Sequence, residues 1–315
     1  MPTLKQFRYF VAVADALSFR RAAELAHISQ PTLSAQLSVL ERRLGVQLVE
    51  RSRSRVMLTP VGKEVVAKAR LVLRDVQDIV DLAQHGRDPL AGRVRLGVLP
   101  TLGPYMLPLV LPEMHRRYRS LSLYIREGLA EDLAGRLAGG DIDLALTALP
   151  VNGSELEIAP LFREPLLLVA GREHPLAAKR EVRRRDLSGQ KLLALERGHR
   201  LHRDVRALAV ECGADLLPEY EGTSLDTLRQ MVGMGMGLAF LPSLYAYMEA
   251  RGDRQIAVCR FTDRRPARTV VLAWRRTSPR RAQFSRLADL MRRLVARRIP
   301  EVEAFTAKQL QRAED

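Results

Sequence analysis

The side chains best equipped for chemistry near the start of this chain are Gln30, Thr32, Ser34, Gln36 and Ser38, short hydrogen-bonding residues that recur through one stretch. They carry donors and acceptors without fixed charge, which is what reading the edges of base pairs requires. The elements that must position them follow from the apolar residues around them. Phe19, Ala22, Ala23 and Ala26 mark the buried face of one helix, and Ile28 plugs a turn before Ser29. Ser29 is a good N-cap, followed by Pro31 in the first turn, where a missing N–H costs nothing. Leu33, Leu37, Leu40 and Leu44 then recur at spacings of 4, 3 and 4, forming one stripe of a second helix and leaving the polar residues for its outer side and exposed first turn. Two helices joined by a tight turn make a helix-turn-helix, although a hairpin that merely packs a core uses the same pattern. Charge favours the first reading. Residues 1–63 hold ten basic side chains, Arg20 among them, against four acidic ones, a balance of +6 that supplies attraction to phosphates.

After Gly45 the period changes. Residues 47–51 and 55–58 read as two short strands around the tip Ser52-Arg53-Ser54, a wing. It carries Arg51, Arg53 and Arg55 where guanidinium groups reach a phosphate backbone or a minor groove, or simply face solvent. Thr59-Pro60 then opens a long helix in which Val65, Ala69, Val72, Val76, Ile79 and Ala83 recur at alternating spacings of 4 and 3. Such a seam suits pairing with a second copy, because a helix-turn-helix dimer needs two reading helices about 34 Å apart. Packing onto the chain's own C-terminal part explains a single stripe equally well. Gly86, Pro89 and Gly92 break this helix.

The full chain of 315 residues has a net charge of +15, 47% hydrophobic residues and 5% aromatic residues. That supports about two domains with real cores and offers no aromatic platform for single strands. No apolar run approaches 18 residues and no leader-like segment precedes the fold, so a cytoplasmic protein without membrane partners is expected. Two cysteines, Cys212 and Cys259, are not spaced as metal ligands, and no nucleotide loop or nucleophile elbow is present, so neither a metal, a cofactor nor an enzyme activity is expected. Residues 268–300 carry ten arginines against Asp289 alone; a solvated basic helix face is expected there, with a DNA-backbone or subunit contact as the sharper reading.

Beyond Arg93 short apolar strands at 94–99, 121–126, 142–148, 166–171, 191–195 and 238–241 alternate with helical stretches at 107–118, 131–138, 203–212 and 224–234, the pattern of parallel sheets covered by helices. Pro100-Thr101-Leu102-Gly103-Pro104 lies between a strand and a helix. Free N–H groups there, with the Thr101 hydroxyl, suit an anion or a polar oxygen, and equally a plain helix cap.

Three segments carry a resemblance: LKQFRYF at residues 4–10, SFRRAAELAHISQPTLSAQLSVLERRLGVQLVER at 18–51, and LTPVG at 58–62. They resemble the DNA-binding domain of LysR-type transcriptional regulators. The resemblance implies an α/β chain made of an N-terminal winged helix-turn-helix (1–59), a dimerising linker helix (60–88), a hinge (89–92), a two-lobed regulatory module similar to type II periplasmic binding proteins (93–300), and a C-terminal tail (301–315). Lobe I would hold 93–164 and 268–300, and lobe II 165–267. It further implies promoter DNA as partner, a homodimer or a tetramer built as a dimer of dimers, RNA polymerase as a further contact, and a small-molecule effector in the interlobe cleft. The DNA-contacting residues would be Arg20, Ser29, Gln30, Pro31, Thr32, Ser34, Gln36, Arg51, Arg53 and Arg55; Ala35 stands where many members carry a basic residue. The family's use of the Ser/Thr position makes Thr101, Leu102 and Gly103 effector candidates, with His199, Arg200 and Thr223 on the opposing lobe. His199, Arg200 and Arg203 hint at an anionic ligand, and a charged rim is equally consistent.

Within the family, residues 99–108, 193–199 and 223–229 are similar to the OxyR-like, peroxide-sensing subtype. In that subtype the residue after the Gly-His pair is the reactive cysteine; here it is Arg200, and Ala209 stands at the partner position. An arginine has no redox chemistry, so the dithiol mechanism does not carry over. Cys212, with Arg203 and Arg206 upstream, remains as a single-cysteine redox candidate or a small buried apolar residue, and no activating intramolecular disulfide is expected.

Overall fold

Side-chain caps set the N-terminal helices. The computed structural model describes residues 1–51, 56–85, 92–250, 252–263, 266–299 and 302–305. Thr3 and Gln6 form a reciprocal capping box at the start of α1 (Leu4–Ala16). Ser18 caps α2 (Phe19–Leu25), and Ser29 caps α3 (Gln30–Leu44), which ends at Gly45 in the left-handed region with φ 71°. Phe10, Val13, Ala22, Leu33, Leu37, Leu40 and Leu48 form the core of this unit, with Phe19 and Ile28 packed against it. Strands β1 (Val49–Arg51) and β2 (Val56–Leu58) pair antiparallel as the wing. Residues 52–55, which include Arg53 and Arg55, lie outside the described residues, as does the side chain of Arg51.

Helix α4 (Pro60–His85) enters by a close backbone approach. The Thr59 hydroxyl accepts the Gly62 N–H at 2.9 Å and donates to the Gln47 carbonyl at 2.8 Å. A Cβ on Gly62 would fall 2.1 Å from the Leu48 carbonyl oxygen, so only glycine fits. The Glu41 carboxylate reaches from α3 to accept the N–H groups of Leu48 and Val49 at 2.9 and 3.2 Å, which anchors the strand of the wing.

The chain divides into two compact units, Met1–Gly92 with Gly139–Asp141, and the remainder from Arg93. In the second, β3 (Gly92–Val98), α5 (Gly103–Arg117), β4 (Leu121–Glu127), α6 (Ala130–Ala138), β5 (Leu144–Ala148) and a 16-residue β6 (Leu156–Gly171) come first. There follow β7 (Lys191–Leu195), α7 (Arg200–Cys212), β8 (Asp215–Gly222), α8 (Leu225–Gly233), β9 (Leu238–Pro242) and the single turn α9 (Ser243–Tyr245). The chain finishes with β10 (Ile256–Cys259), β11 (Ala267–Arg275), α10 (Arg281–Arg298) and β12 (Glu303–Ala304). Residues 89–91 of the expected hinge and 306–315 of the tail lie outside the described residues.

The strands run in the order β4-β3-β5-β11-β6-β9-β7-β8. The expectation of parallel sheets is corrected. Pairs β3–β5, β7–β8 and β7–β9 are parallel, but β11 runs antiparallel to both β5 and β6, and β6 antiparallel to β9 and β10. The cause is β6, whose first half pairs with β11 and whose second half, from Leu166, pairs with β9. One continuous strand thus belongs to both lobes, and Leu166 N–H meets the Pro266 carbonyl at 2.8 Å where the chain returns. β8, β11 and the first half of β6 had no counterpart among the expected strands. β8 is a largely exposed edge containing Pro218, and β11 carries arginines near both ends of its apolar run.

Candidate nucleic-acid interface and interlobe site

The first turn of α3 presents Gln30, Pro31 and Thr32 to solvent, with Ser34 and Ser38 half-buried behind them. Ser29 Oγ accepts the Thr32 N–H and lies 2.8 Å from Thr32 Oγ1, so the cap also orients the Thr32 hydroxyl. Gln36 is half-buried, and its Oε1 accepts from Gln6 Nε2 at 3.2 Å, which fixes the amide and aims its own NH2 group. Arg20 is 85% exposed in its side chain and meets Glu24 at 3.2 Å, a surface pair that costs little to exchange for phosphate. The leucine stripe Leu33, Leu37 and Leu40 is fully shielded, so the polar face is held rigidly outward.

Along α4 the apolar seam divides. Val65 and Val66 pack into the core of the N-terminal unit, and Ala69 is buried; Val76 is half-buried, while Val72 and Ile79 stand 42% and 65% exposed. The start of the stripe thus packs within its own N-terminal unit rather than onto the C-terminal part, while Val72 and Ile79 are exposed.

In the second unit two of the N–H groups expected to be free after β3 are engaged. The N–H groups of Leu102 and Gly103 both donate to the Leu99 carbonyl, at 2.9 and 2.8 Å, and Pro104 has none. The tight turn thus consumes the donors of Leu102 and Gly103. Thr101 is buried, and its oxygens are taken as well: Arg268 Nη1 donates to Oγ1 at 2.7 Å and Nη2 to the carbonyl at 2.9 Å. The same guanidinium donates from Nε to Glu164 Oε2 at 2.7 Å, and Glu164 Oε1 accepts the N–H of Leu244 at 2.9 Å. Glu164 and Arg268 face each other in register on β6 and β11, and their side chains are 0% and 3% exposed. A buried pair survives only when its remaining hydrogen-bonding capacity is filled, and here Thr101 and Leu244 fill it from both lobes.

Arg268 is a correction to the expected solvated basic face. So is Arg275, whose Nη1 donates to the Leu137 and Ile142 carbonyls at 2.7 and 2.8 Å, and Arg280, buried against Phe284. Charged residues inside an apolar strand, beside prolines at both lobe crossings, were the signal in the sequence that could have found Arg268 and Glu164.

Arg200 is the first residue of α7, and its Nε lies 3.3 Å from Asp204 Oδ1. Burial pushes the Asp204 carboxyl above the usual range while Arg200, Arg268 and Arg203 pull it down, so its environment includes both key arginines. His199 is the N-cap residue of α7, but its ring makes no cap hydrogen bond. It is buried, and burial lowers its pKa against the opposing pull of Glu196. Arg203 reaches Glu131 of α6 at 3.5 Å, and a Cβ on Gly198 would lie 2.8 Å from Leu129, so the lobes touch along this edge. Thr223 is exposed, one residue before the cap Ser224 of α8, and has no part in the cluster.

The comparisons with known proteins agree with this architecture. Residues 4–63 match the family described as bacterial regulatory helix-turn-helix protein, lysR family, and residues 87–296 match the LysR substrate binding domain. The chain belongs to the LysR family. It is a LysR-type DNA-binding transcriptional regulator, from a family of regulators rather than enzymes. It is 37% identical over 306 residues to the hydrogen peroxide-inducible genes activator of Dickeya chrysanthemi, covering 96% of this chain and 99% of that protein. It is also 37% identical to the DNA-binding transcriptional dual regulator OxyR of Escherichia coli K12, covering 92% and 94%. Among solved structures, a full-length OxyR variant from Pseudomonas aeruginosa superposes with a TM-score of 0.76 at 37% identity, again over 92% and 94% of the two chains.

Both cysteines of this LysR-type chain are buried and free. Burial raises the Cys212 thiol above its ordinary value in spite of Arg184 nearby, and pushes Cys259 up to about 11. The cation that acts on Cys212 is Arg184 rather than the expected Arg203 and Arg206, and desolvation outweighs it. Among the described residues no helix is long and apolar enough to cross a membrane, and no group of three or more His, Cys, Asp or Glu is placed to hold a metal.

Proposed function

We propose that this regulator works in the cytoplasm as a homo-oligomer, a tetramer formed as a dimer of dimers. It grips promoter DNA with Arg20, Ser29, Gln30, Pro31, Thr32, Ser34 and Gln36 and with the wing arginines Arg51, Arg53 and Arg55. Val72, Val76 and Ile79 of α4 pair two copies, with Val65 and Ala69 supporting the seam from within. Lobe I (93–164 and 268–300) and lobe II (165–267) close on a small polar or anionic effector. That ligand exchanges with the groups now holding Arg268 and Arg200, using Thr101, His199 and Arg200 as further contacts; RNA polymerase is the downstream partner. Such a ligand shifts the regulator only if it binds one lobe arrangement better than the other.

The observation that carries this reading is the three-way grip of Arg268 on Glu164 and on both oxygens of Thr101. These three residues belong to lobe I, and the Leu244 N–H that Glu164 accepts at 2.9 Å ties the cluster to lobe II through an exchangeable hydrogen bond, beside the edge-on packing of Tyr105 on Tyr245. A second reading, redox control through Cys212, is favoured by the names of the relatives, which are hydrogen peroxide-inducible activators. Against it stand Arg200 at the position of the reactive cysteine and the raised pKa of Cys212.

A gel-shift of the full chain on its own upstream DNA, with and without hydrogen peroxide, tests the two. The first reading expects specific binding that peroxide leaves unchanged in both the wild type and Cys212→Ala. A peroxide response present in the wild type and lost in Cys212→Ala would replace it with the second.

A further inference from the structure

We infer that the groove between α5 and α10 is a second ligand site, one that takes a small, multiply phosphorylated ligand of the nucleoside-polyphosphate kind. The groove encloses about 440 Å³, within the span of small-molecule sites. Its walls carry Arg116 and Arg117 from α5 and Arg293, Arg297 and Arg298 from α10, against the single carboxylate of Glu113, a balance of +4. That carboxylate is already engaged. Its oxygens accept from Arg116 Nη2 at 2.6 Å and Nε at 2.9 Å. The hydrogen bond from Arg116, and then the charges of Arg116, Arg117 and Arg298, hold Glu113 below the usual carboxylate range, so both helices contribute to one field. Arg117, Arg293, Arg297 and Arg298 have no carboxylate partner among the described residues.

Helix dipoles account for part of this pattern, since basic residues end both α5 and α10. They do not account for Arg293, which precedes the last turn of α10, or for cations from two helices converging on one groove. Four unpaired guanidinium forks match a ligand with several phosphates rather than a single carboxylate, because each fork binds two oxygens of one tetrahedral group. Leu290 and Leu294, one turn apart, give the groove an apolar wall on which a base can lie beside the arginine planes. An enclosed groove of this size suits a small ligand better than the convex backbone of a duplex.

Isothermal titration of the full chain with sodium tripolyphosphate and with ATP, at about 0.15 M salt, tests the site. Binding is expected to weaken about tenfold or more in the double variant Arg293→Gln and Arg297→Gln, with ATP binding more tightly than tripolyphosphate. Both arginines are exposed, so the urea midpoint of the variant should match the wild type. Equal binding by variant and wild type, or no binding by either, would overturn the site. ATP binding no tighter than tripolyphosphate would remove the nucleoside part of the assignment. A variant that leaves both titrations unchanged but lowers the salt slope of promoter binding would assign the groove to the DNA backbone instead.

Discussion

Gln30 and Thr32 stand in solvent at the start of α3, whereas Thr101 is buried with both of its oxygens held by Arg268. The first pair is presented by a cap and a leucine stripe that ask nothing of the reading side chains. The second belongs to a buried circuit that links the Thr101 oxygens, Arg268, Glu164 and the Leu244 N–H. The exposed face of α3 can therefore change without disturbing the fold, while the Arg268 cluster cannot lose its cation without leaving a buried charge unpaired. Arg268→Ala strips Glu164 of its cation and should cost about 3–5 kcal/mol in urea unfolding. A loss below about 1 kcal/mol would mean that the pair is not buried in solution, and the contrast between the two regions would collapse.

The contrast has an internal check, because the N-terminal unit also contains a place where nothing can be changed freely. At Gly62 an added Cβ would meet the Leu48 carbonyl, a backbone atom that cannot rotate away. Gly62→Ala should destabilise the unit by about 3 kcal/mol, toward the upper end of overpacking costs, as read by the thermal midpoint. Promoter binding should recover when the variant is cooled, because the recognition face itself is intact. A variant that unfolds like the wild type would show that α4 enters at a looser angle.

The N-terminal unit was legible because its determinants are local. Ser29, Pro31 and Gly45 fix the ends of α3, and the leucine spacing fixes its buried face, all within sixteen residues or so of sequence. Glu41 escaped notice because its partners, the N–H groups of Leu48 and Val49, are backbone groups that sequence does not display. In the second unit Thr101 was legible as a candidate, but its partner Arg268 is 167 residues away, and Glu164, which holds Arg268, is 104 residues from Arg268. Arg268 counted only as one charge in a basic run until β11 placed it opposite Glu164. The antiparallel character of β11 and β6 was hidden for the same reason, since strand direction depends on which crossing the chain takes.

The exposed first turn of α3 offers the reverse test. Gln30→Ala and Thr32→Ala should each weaken specific promoter binding by about 1–3 kcal/mol while leaving stability within about 0.5 kcal/mol of the wild type. Gel-shift and urea unfolding on the same samples separate the two quantities. A matching loss of stability would show that these side chains belong to the fold, as the cap Ser29 does.

The smallest effect expected is a pH dependence at the edge of the interlobe cluster. Burial lowers the pKa of His199 from its ordinary 6.5, with Glu196 opposing, so folding disfavours the charged imidazole. As pH falls through 6.5, the unfolded chain takes up a proton that the folded chain resists. More protons bound in the unfolded state means that stability falls as pH falls, and the loss is complete only below the folded pKa. Asp204 works in the opposite sense, because burial raises its carboxyl, but it does so nearer the carboxylate range. Comparing urea midpoints of the wild type and His199→Gln from pH ~7.5 to ~5.5 isolates the histidine contribution. The wild type should decline over that window more steeply than the variant. Identical slopes would place the ring in contact with water.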